Sequence, residues 1–134
     1  CLGLGLKSRL GGQLRDDVQA VVELGLVSAD GSLHSVSAVI DTGFNGQVSL
    51  SRRRVNEFNL QLTREGTIEI ELASGTVIEE DVYSAAIRFD GQELVAEVIL
   101  TDAEDSFVGT GLLTDKVLLI NFSTREVTVR DHIP

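Results

Sequence analysis

The sequence predicts an all-β fold, a small antiparallel barrel or sandwich with at most one or two short helices. Three observations predict it. Apolar residues come in short runs, some continuous and some alternating with polar ones. Gly-containing turn sequences separate the runs. Val, Ile and Leu dominate the apolar set, with 4% aromatic residues and neither Trp nor Met, a composition suited to a pleated surface. The one proline is the last residue, Pro134, so no run is broken by one. At 134 residues, 43% of them hydrophobic, the chain fits one domain that buries roughly two-thirds of its unfolded surface.

Residues 1–15, CLGLGLKSRLGGQLR, mix Gly, Leu and basic residues without a period. They are read as an N-terminal tail or dimer arm, with the domain spanning residues 16–134. Residues 18–27 and 33–40 flank Ala29-Asp30-Gly31-Ser32, a turn sequence whose Gly supplies a positive φ, and make the first hairpin. SLSRRRVNEFNLQL, residues 49–62, suits a short helix capped by Ser49 or Ser51, with Val55, Phe58 and Leu60 turned inward. TIEIEL, TVIEEDVYSAAIRF and QELVAEVIL, joined by Ala73-Ser74-Gly75 and Asp90-Gly91, read as a three-stranded meander. KVLLINF and EVTVRD form a last hairpin around Ser123-Thr124-Arg125.

A formal charge of −10 argues against nucleic acid or an anionic membrane as partner, because a polyanion would be repelled over most of the surface. A cationic or extended peptide is accommodated more easily. The single cysteine, Cys1, has no partner within the chain, no leader-like apolar stretch stands in the first 20 residues, and no run is long enough to span a bilayer. The expectation is a soluble, cytoplasmic domain.

The chemistry-bearing stretch is VIDTGFNG, residues 39–46. A carboxylate directly after a buried strand loses hydration unless hydrogen bonds or a partner replace it. Gly43 lets the backbone approach a partner closely, and the Thr42 hydroxyl can lock the loop, leaving Asp41 facing a cleft. The bland alternative is a turn in which Asp41 caps the following backbone. One carboxylate alone is a poor catalyst of amide hydrolysis. Two sharing a proton act at once as base toward water and acid toward the carbonyl oxygen.

These residues resemble the retropepsin-like aspartic proteases, in particular the small single-domain prokaryotic branch whose active-site stretch reads much like Asp-Thr-Gly-Phe-Asn-Gly. Ala38-Val39-Ile40 is similar to the strand that enters the catalytic loop, and LASGTVIEE, residues 72–80, to the flap hairpin. Phe107-Val108-Gly109 with Leu112-Leu113 resembles the segment packed beside that loop, and the final Val-rich hairpin matches too. The resemblance spans roughly residues 16–131. It departs at Ser51, Thr110 and Ser74, where relatives more often have Pro, an apolar residue and an acidic or amide residue.

What the resemblance implies is an all-β fold, a small closed antiparallel barrel of the retropepsin type with one or two short helices, and an aspartic endopeptidase acting on peptides or proteins as a homodimer. The sequence holds one Asp-Thr-Gly and no Asp-Ser-Gly, so each chain would bring half a site. Asp41 would be the catalytic carboxylate. Thr42 would hydrogen bond across the dimer axis and Gly43 would let two loops meet. Ala73, Ser74, Gly75 and Thr76 would cover the substrate, and Val108 and Gly109 would support the loop. No metal or other cofactor is implied. The competing reading is a catalytically inactive peptide-binding or assembly module on the same fold.

Other clusters have plainer readings. Arg52, Arg53 and Arg54 lack interleaved aromatics and read as a solvated helix face. Glu79, Glu80 and Asp81, and Asp102, Glu104 and Asp105, read as exposed acids without the pattern of a calcium loop. His34, His132 and Cys1 read as surface residues with no metal-ligand spacing. Gly109-Thr110-Gly111 and Gly3-Leu4-Gly5 lack the rest of a phosphate-loop pattern. Val48, Leu72, Val77 and Val108 are the expected groove walls.

Overall fold

The computed structural model describes residues 9–16 and 18–132. In chain order these form β1 (Arg9–Arg15), β2 (Gln19–Val27), β3 (Leu33–Ile40), β4 (Val48–Ser51), α1 (Arg52–Glu57), β5 (Thr63–Glu71), β6 (Val77–Phe89), β7 (Gln92–Thr101), β8 (Ser106–Val108), β9 (Lys116–Asn121) and β10 (Glu126–Asp131). The strands are hydrogen-bonded in the order β5-β6-β7-β4-β8-β3-β2-β1-β10-β9. A further pairing of β2 with β6, through Gly25 and Arg88 and through Leu26 and Ile87, closes the central strands on themselves. A Cβ on Gly25 would lie 3.0 Å from that of Arg88, so a glycine lets the two strands close here without crowding.

The expected all-β class holds, with two parallel ladders inside it: β3 beside β8 and β4 beside β7. Their sequences fit that role. Ala38, Val39 and Ile40 are buried in succession, and all four residues of β4 are buried, as strands covered on both faces should be. Leu24, Leu26, Leu50, Ile87, Phe89, Val98, Val108, Val127 and Val129 fill the interior. The expected hairpins form at their turn sequences. Asp90 and Gly91 both take positive φ, 54° and 75°, the geometry of a tight β6–β7 connection.

Residues 9–15 depart from expectation. They are not a tail but β1, which pairs with both β2 and β10 and buries Leu14. Leu10 and Leu14 share the inward alternation, and Gly11 and Gly12 between them break the apolar pattern that would have shown a strand. Residues 1–8 lie outside the described residues. The expected helix is α1, shorter than its sequence window. Ser51 is at its N-cap position but forms no side-chain cap hydrogen bond, being buried as the last residue of β4. Val55, Phe58 and Leu60 pack against the core as expected.

Charged residues join distant elements. Lys116 bonds to the buried Asp90 at 3.0 Å and to Asp131 at 2.8 Å, tying the β6–β7 turn to β10. Arg15 grips Asp105 with its two terminal guanidinium nitrogens, at 3.1 and 2.9 Å. Arg52 pairs with Asp102 and Arg53 with Glu104. The basic and acidic runs, read separately in the sequence, thus meet across the β7–β8 connection. His34, expected at the surface, is half-buried and stacks on Phe58 with ring centroids 4.6 Å apart. No helix among the described residues is long and apolar enough to cross a membrane.

Candidate active site

Strand β8 lies between β3, which leads into the loop of residues 41–47, and β4, which leaves it. Val108 therefore pairs with Ile40 on one side and Val48 on the other. The loop must arch over the end of β8, where Gly109, Thr110 and Gly111 follow. Their three amide groups donate in turn to the carbonyls of Gln47 at 3.0 Å, Phe44 at 2.8 Å and Gly46 at 3.0 Å. The Thr110 hydroxyl also donates to the Phe44 carbonyl, at 3.3 Å. That contact gives the departure at Thr110 a use: it adds a second donor to the bond that fixes the loop. Gln47 ties the same loop to β7 by accepting from the Glu97 amide at 2.7 Å.

Asp41 is the first residue past β3. Its amide donates to the Val108 carbonyl at 2.9 Å, and its carbonyl accepts from the Phe44 amide at 3.1 Å. Its Oδ1 accepts from the Gly43 amide at 2.9 Å. One carboxylate oxygen is thereby held against the loop while the residue stays exposed, as do Thr42 and Gly43. The turn-capping role and a reactive role are compatible here, because the cap uses a single oxygen.

Two depressions adjoin the loop. One, about 180 Å³, is lined by Asp41, Phe44, Ser49, Ile99, Thr101, Ala103 and Phe107. In it the Thr101 hydroxyl is buried without a hydrogen-bond partner among the described residues. The other, about 440 Å³, runs between residues 43–46 and residues 68–71 of β5, with Ile99 at its wall. Phe44 and Ile99 border both, so the two depressions adjoin at these side chains, and Asp41 lines the smaller one. Such a mainly apolar hollow with a few polar groups suits an organic ligand.

The expected covering residues Ala73, Ser74, Gly75 and Thr76 form the exposed tip of the β5–β6 hairpin. The tip is closed by bonds from the Gly75 amide to the Leu72 carbonyl and from the Leu72 amide to the Thr76 carbonyl, both 2.8 Å. The Ser74 hydroxyl bonds to the Thr76 hydroxyl at 3.1 Å. The part of the hairpin that borders the cleft is β5, not the tip.

The expected groove walls need correction. Val48 and Val108 are fully buried, because strands β4 and β8 are covered on both sides. Leu72 and Val77 are exposed near the hairpin tip. The walls come instead from Phe44, Ile68, Ile70, Ile99 and Phe107. The alternation of TIEIE was a usable signal for Ile68 and Ile70. Ile99 could not be found from sequence, since only the parallel pairing of β4 with β7 brings it to the loop.

No family model and no curated protein matches the sequence. Solved structures do match the fold. A retropepsin-like aspartic protease from Rickettsia conorii superposes with a TM-score of 0.63 at 12% identity, covering 92% of this chain and 90% of its own. The protease of EIAV, in complex with the inhibitor HBY-793, gives 0.54 at 15% identity, with 72% of this chain and 86% of its own. The protease of simian foamy virus (mac) gives 0.50 at 15% identity, with 70% and 91%. At such identity the likeness establishes a retropepsin-like fold.

Proposed function

We propose that the chain is an aspartic endopeptidase that works as a homodimer, with Asp41 of each copy flanking one water molecule. The observation that carries this reading is the placement of Asp41. It is an exposed carboxylate at the end of a buried strand, on a loop pinned by residues 109–111, beside an open cleft in a retropepsin-like fold.

Two such loops meeting at a two-fold axis would bring the carboxylates close enough to share one proton, because like charges at short range resist double ionisation. The ionised member takes a proton from water as the oxygen attacks the peptide carbonyl, and the protonated member gives its proton to the carbonyl oxygen. Collapse of the tetrahedral diol then breaks the C–N bond as the amine nitrogen takes a proton back. Thr42 would brace the axis by hydrogen bonding to the partner loop. Gly43, without a side chain, would let the loops approach. Val108 and Gly109 support the loop from beneath, and Ala73, Ser74, Gly75 and Thr76 would fold over an extended peptide and offer it backbone hydrogen bonds.

The test is cleavage of a mixed peptide library across roughly pH 3 to 8, at several protein concentrations, by wild type and Asp41→Asn. Activity that rises faster than linearly with concentration and vanishes in the variant supports the reading. Wild-type chains that dimerise, bind peptide and cut nothing would instead identify a peptide-binding or assembly module.

A further inference from the structure

We propose that Glu69 and Glu71 make the cleft along β5 select a basic residue, Lys or Arg, in the peptide it holds. The inference rests on the reading of the site as one that takes peptides, whether or not it cuts them. The walls contributed by Phe44, Ile68, Ile70 and Ile99 are apolar, and the ionisable groups among the lining residues are Glu69 and Glu71. Side chains alternate along β5, Ile68 and Ile70 on one face and Glu69 and Glu71 on the other, so a peptide at the strand edge, where both faces are within reach, can set the charged end of a Lys or Arg against the carboxylates. A purely apolar side chain would leave the carboxylates unused, and an acidic one would be repelled.

Asp102, Glu104 and Asp105 are each matched by an arginine of the same chain, and Asp81 by Arg64. Glu69 and Glu71 have no hydrogen bond or ion pair from a side chain among the described residues. Glu69 moreover stands directly across from Glu79 in the β5–β6 register, a like-charge arrangement that is unfavourable without a counter-charge. Other exposed acids, Glu23 and Glu126 among them, also lack a side-chain partner among the described residues, so what distinguishes Glu69 and Glu71 is their place along the cleft.

Geometry also places the basic residue. β5 ends the sheet, so an extended peptide in the cleft runs beside a strand edge with free backbone groups. Phe44 and Ile99 border both this cleft and the hollow containing Asp41. The selected position therefore lies in the cleft beyond Phe44 and Ile99, next to the hollow that Asp41 lines.

The experiment uses peptides that carry Lys, norleucine or Glu at each position around a cleaved bond. Wild type is expected to favour Lys over Glu at one or two positions by roughly threefold to tenfold in kcat/KM at low salt. That preference should shrink in about 0.5 M salt. In E69Q/E71Q the Lys-to-Glu ratio falls toward one, and in E69K/E71K it inverts, with thermal melts verifying that each variant folds. A ratio of one throughout in wild type, or one that survives in E69Q/E71Q, overturns the proposal and leaves the protease reading standing. If nothing is cut, the same peptides are measured by fluorescence anisotropy. Tighter binding of the Lys peptides, lost in E69Q/E71Q, sustains the selection while cleavage fails; binding indifferent to charge, or absent, overturns it.

Discussion

A side-chain carbon on Gly109 would lie 2.2 Å from the carbonyl oxygen of Gly46 and 2.5 Å from that of Phe44. Both oxygens belong to the loop that presents Asp41, and neither is a flexible side-chain end that could swing away. Gly109→Ala must therefore lift the loop or shift β8, and either breaks the bonds from residues 109–111. We expect a loss of about 2 to 3 kcal/mol in urea unfolding, and a fall in peptide cleavage beyond what the folded fraction explains. A loss under about 0.5 kcal/mol would show that the loop is not held as described.

Asp41 combines a structural and a chemical task that two substitutions separate. Asparagine keeps an oxygen that can accept from the Gly43 amide, the bond seen at 2.9 Å, but cannot exchange a proton with water. Alanine removes both. Asp41→Asn should shift the urea midpoint by less than about 0.5 kcal/mol and abolish cleavage, whereas Asp41→Ala should add a measurable destabilisation of the loop. If Asp41→Asn unfolds the chain, the carboxylate is structural first.

How much of this was legible in the sequence depends on sequence distance. The hairpins were readable because Asp30-Gly31, Ala73-Ser74-Gly75 and Asp90-Gly91 each mark a local turn between apolar runs. Asp41 was readable because a charge next to Val39 and Ile40 is locally anomalous. The contribution of Ile99 was not, since it reaches the loop only through the β4–β7 pairing over some fifty residues. Neither was β1, because Gly11 and Gly12 carry no side chains to display an alternation. The pairing of Arg52 and Arg53 with Asp102 and Glu104 likewise exists only once the fold brings α1 beside the β7–β8 connection.

Asp30 should make the first hairpin sensitive to acid. Its carboxylate accepts from the Ser28 hydroxyl at 2.5 Å and from the Ser32 amide at 2.9 Å. These bonds favour the ionised form and lower its pKa from 3.8 to about 2. Because the folded value lies below the unfolded one, the stabilisation is present above pH 3.8 and disappears as the pH falls through about 2. Asp30→Ala should be less stable than wild type at neutral pH, with the gap closing at the acid end. Urea midpoints at pH 7 and pH 2 check this; a gap that is constant with pH refutes it.

Lys116 governs the opposite limb. Burial disfavours its charge, yet hydrogen bonds to Asp131 and Asp90 outweigh that and raise its pKa above the ordinary 10.5. A raised lysine gives stability that is complete below pH 10.5 and lost as the pH climbs through the higher folded value. Wild type should thus have an alkaline transition that Lys116→Met lacks. The variant also removes the ammonium facing Asp90, whose side chain is 0% exposed, and should cost about 3 kcal/mol at neutral pH. A Lys116→Met chain as stable as wild type would mean that the triad does not tie the β6–β7 turn to β10.

Salt should act in opposite directions on assembly and on recognition. Two copies of a chain with a formal charge of −10 repel at long range, so the dimer required by the proposed mechanism should strengthen as ionic strength rises and the Debye length falls below about 10 Å. The attraction between Glu69, Glu71 and a basic peptide is weakened by the same screening. Sedimentation equilibrium across about 0.05 to 0.5 M salt should show dimer formation increasing, while the Lys-to-Glu ratio in cleavage falls over the same range. Because total activity mixes the two effects, only the ratio, taken at a single protein concentration, isolates recognition from assembly. If dimerisation weakens with salt, attractive charge contacts rather than apolar burial hold the copies together, and the long-range repulsion is not what limits assembly.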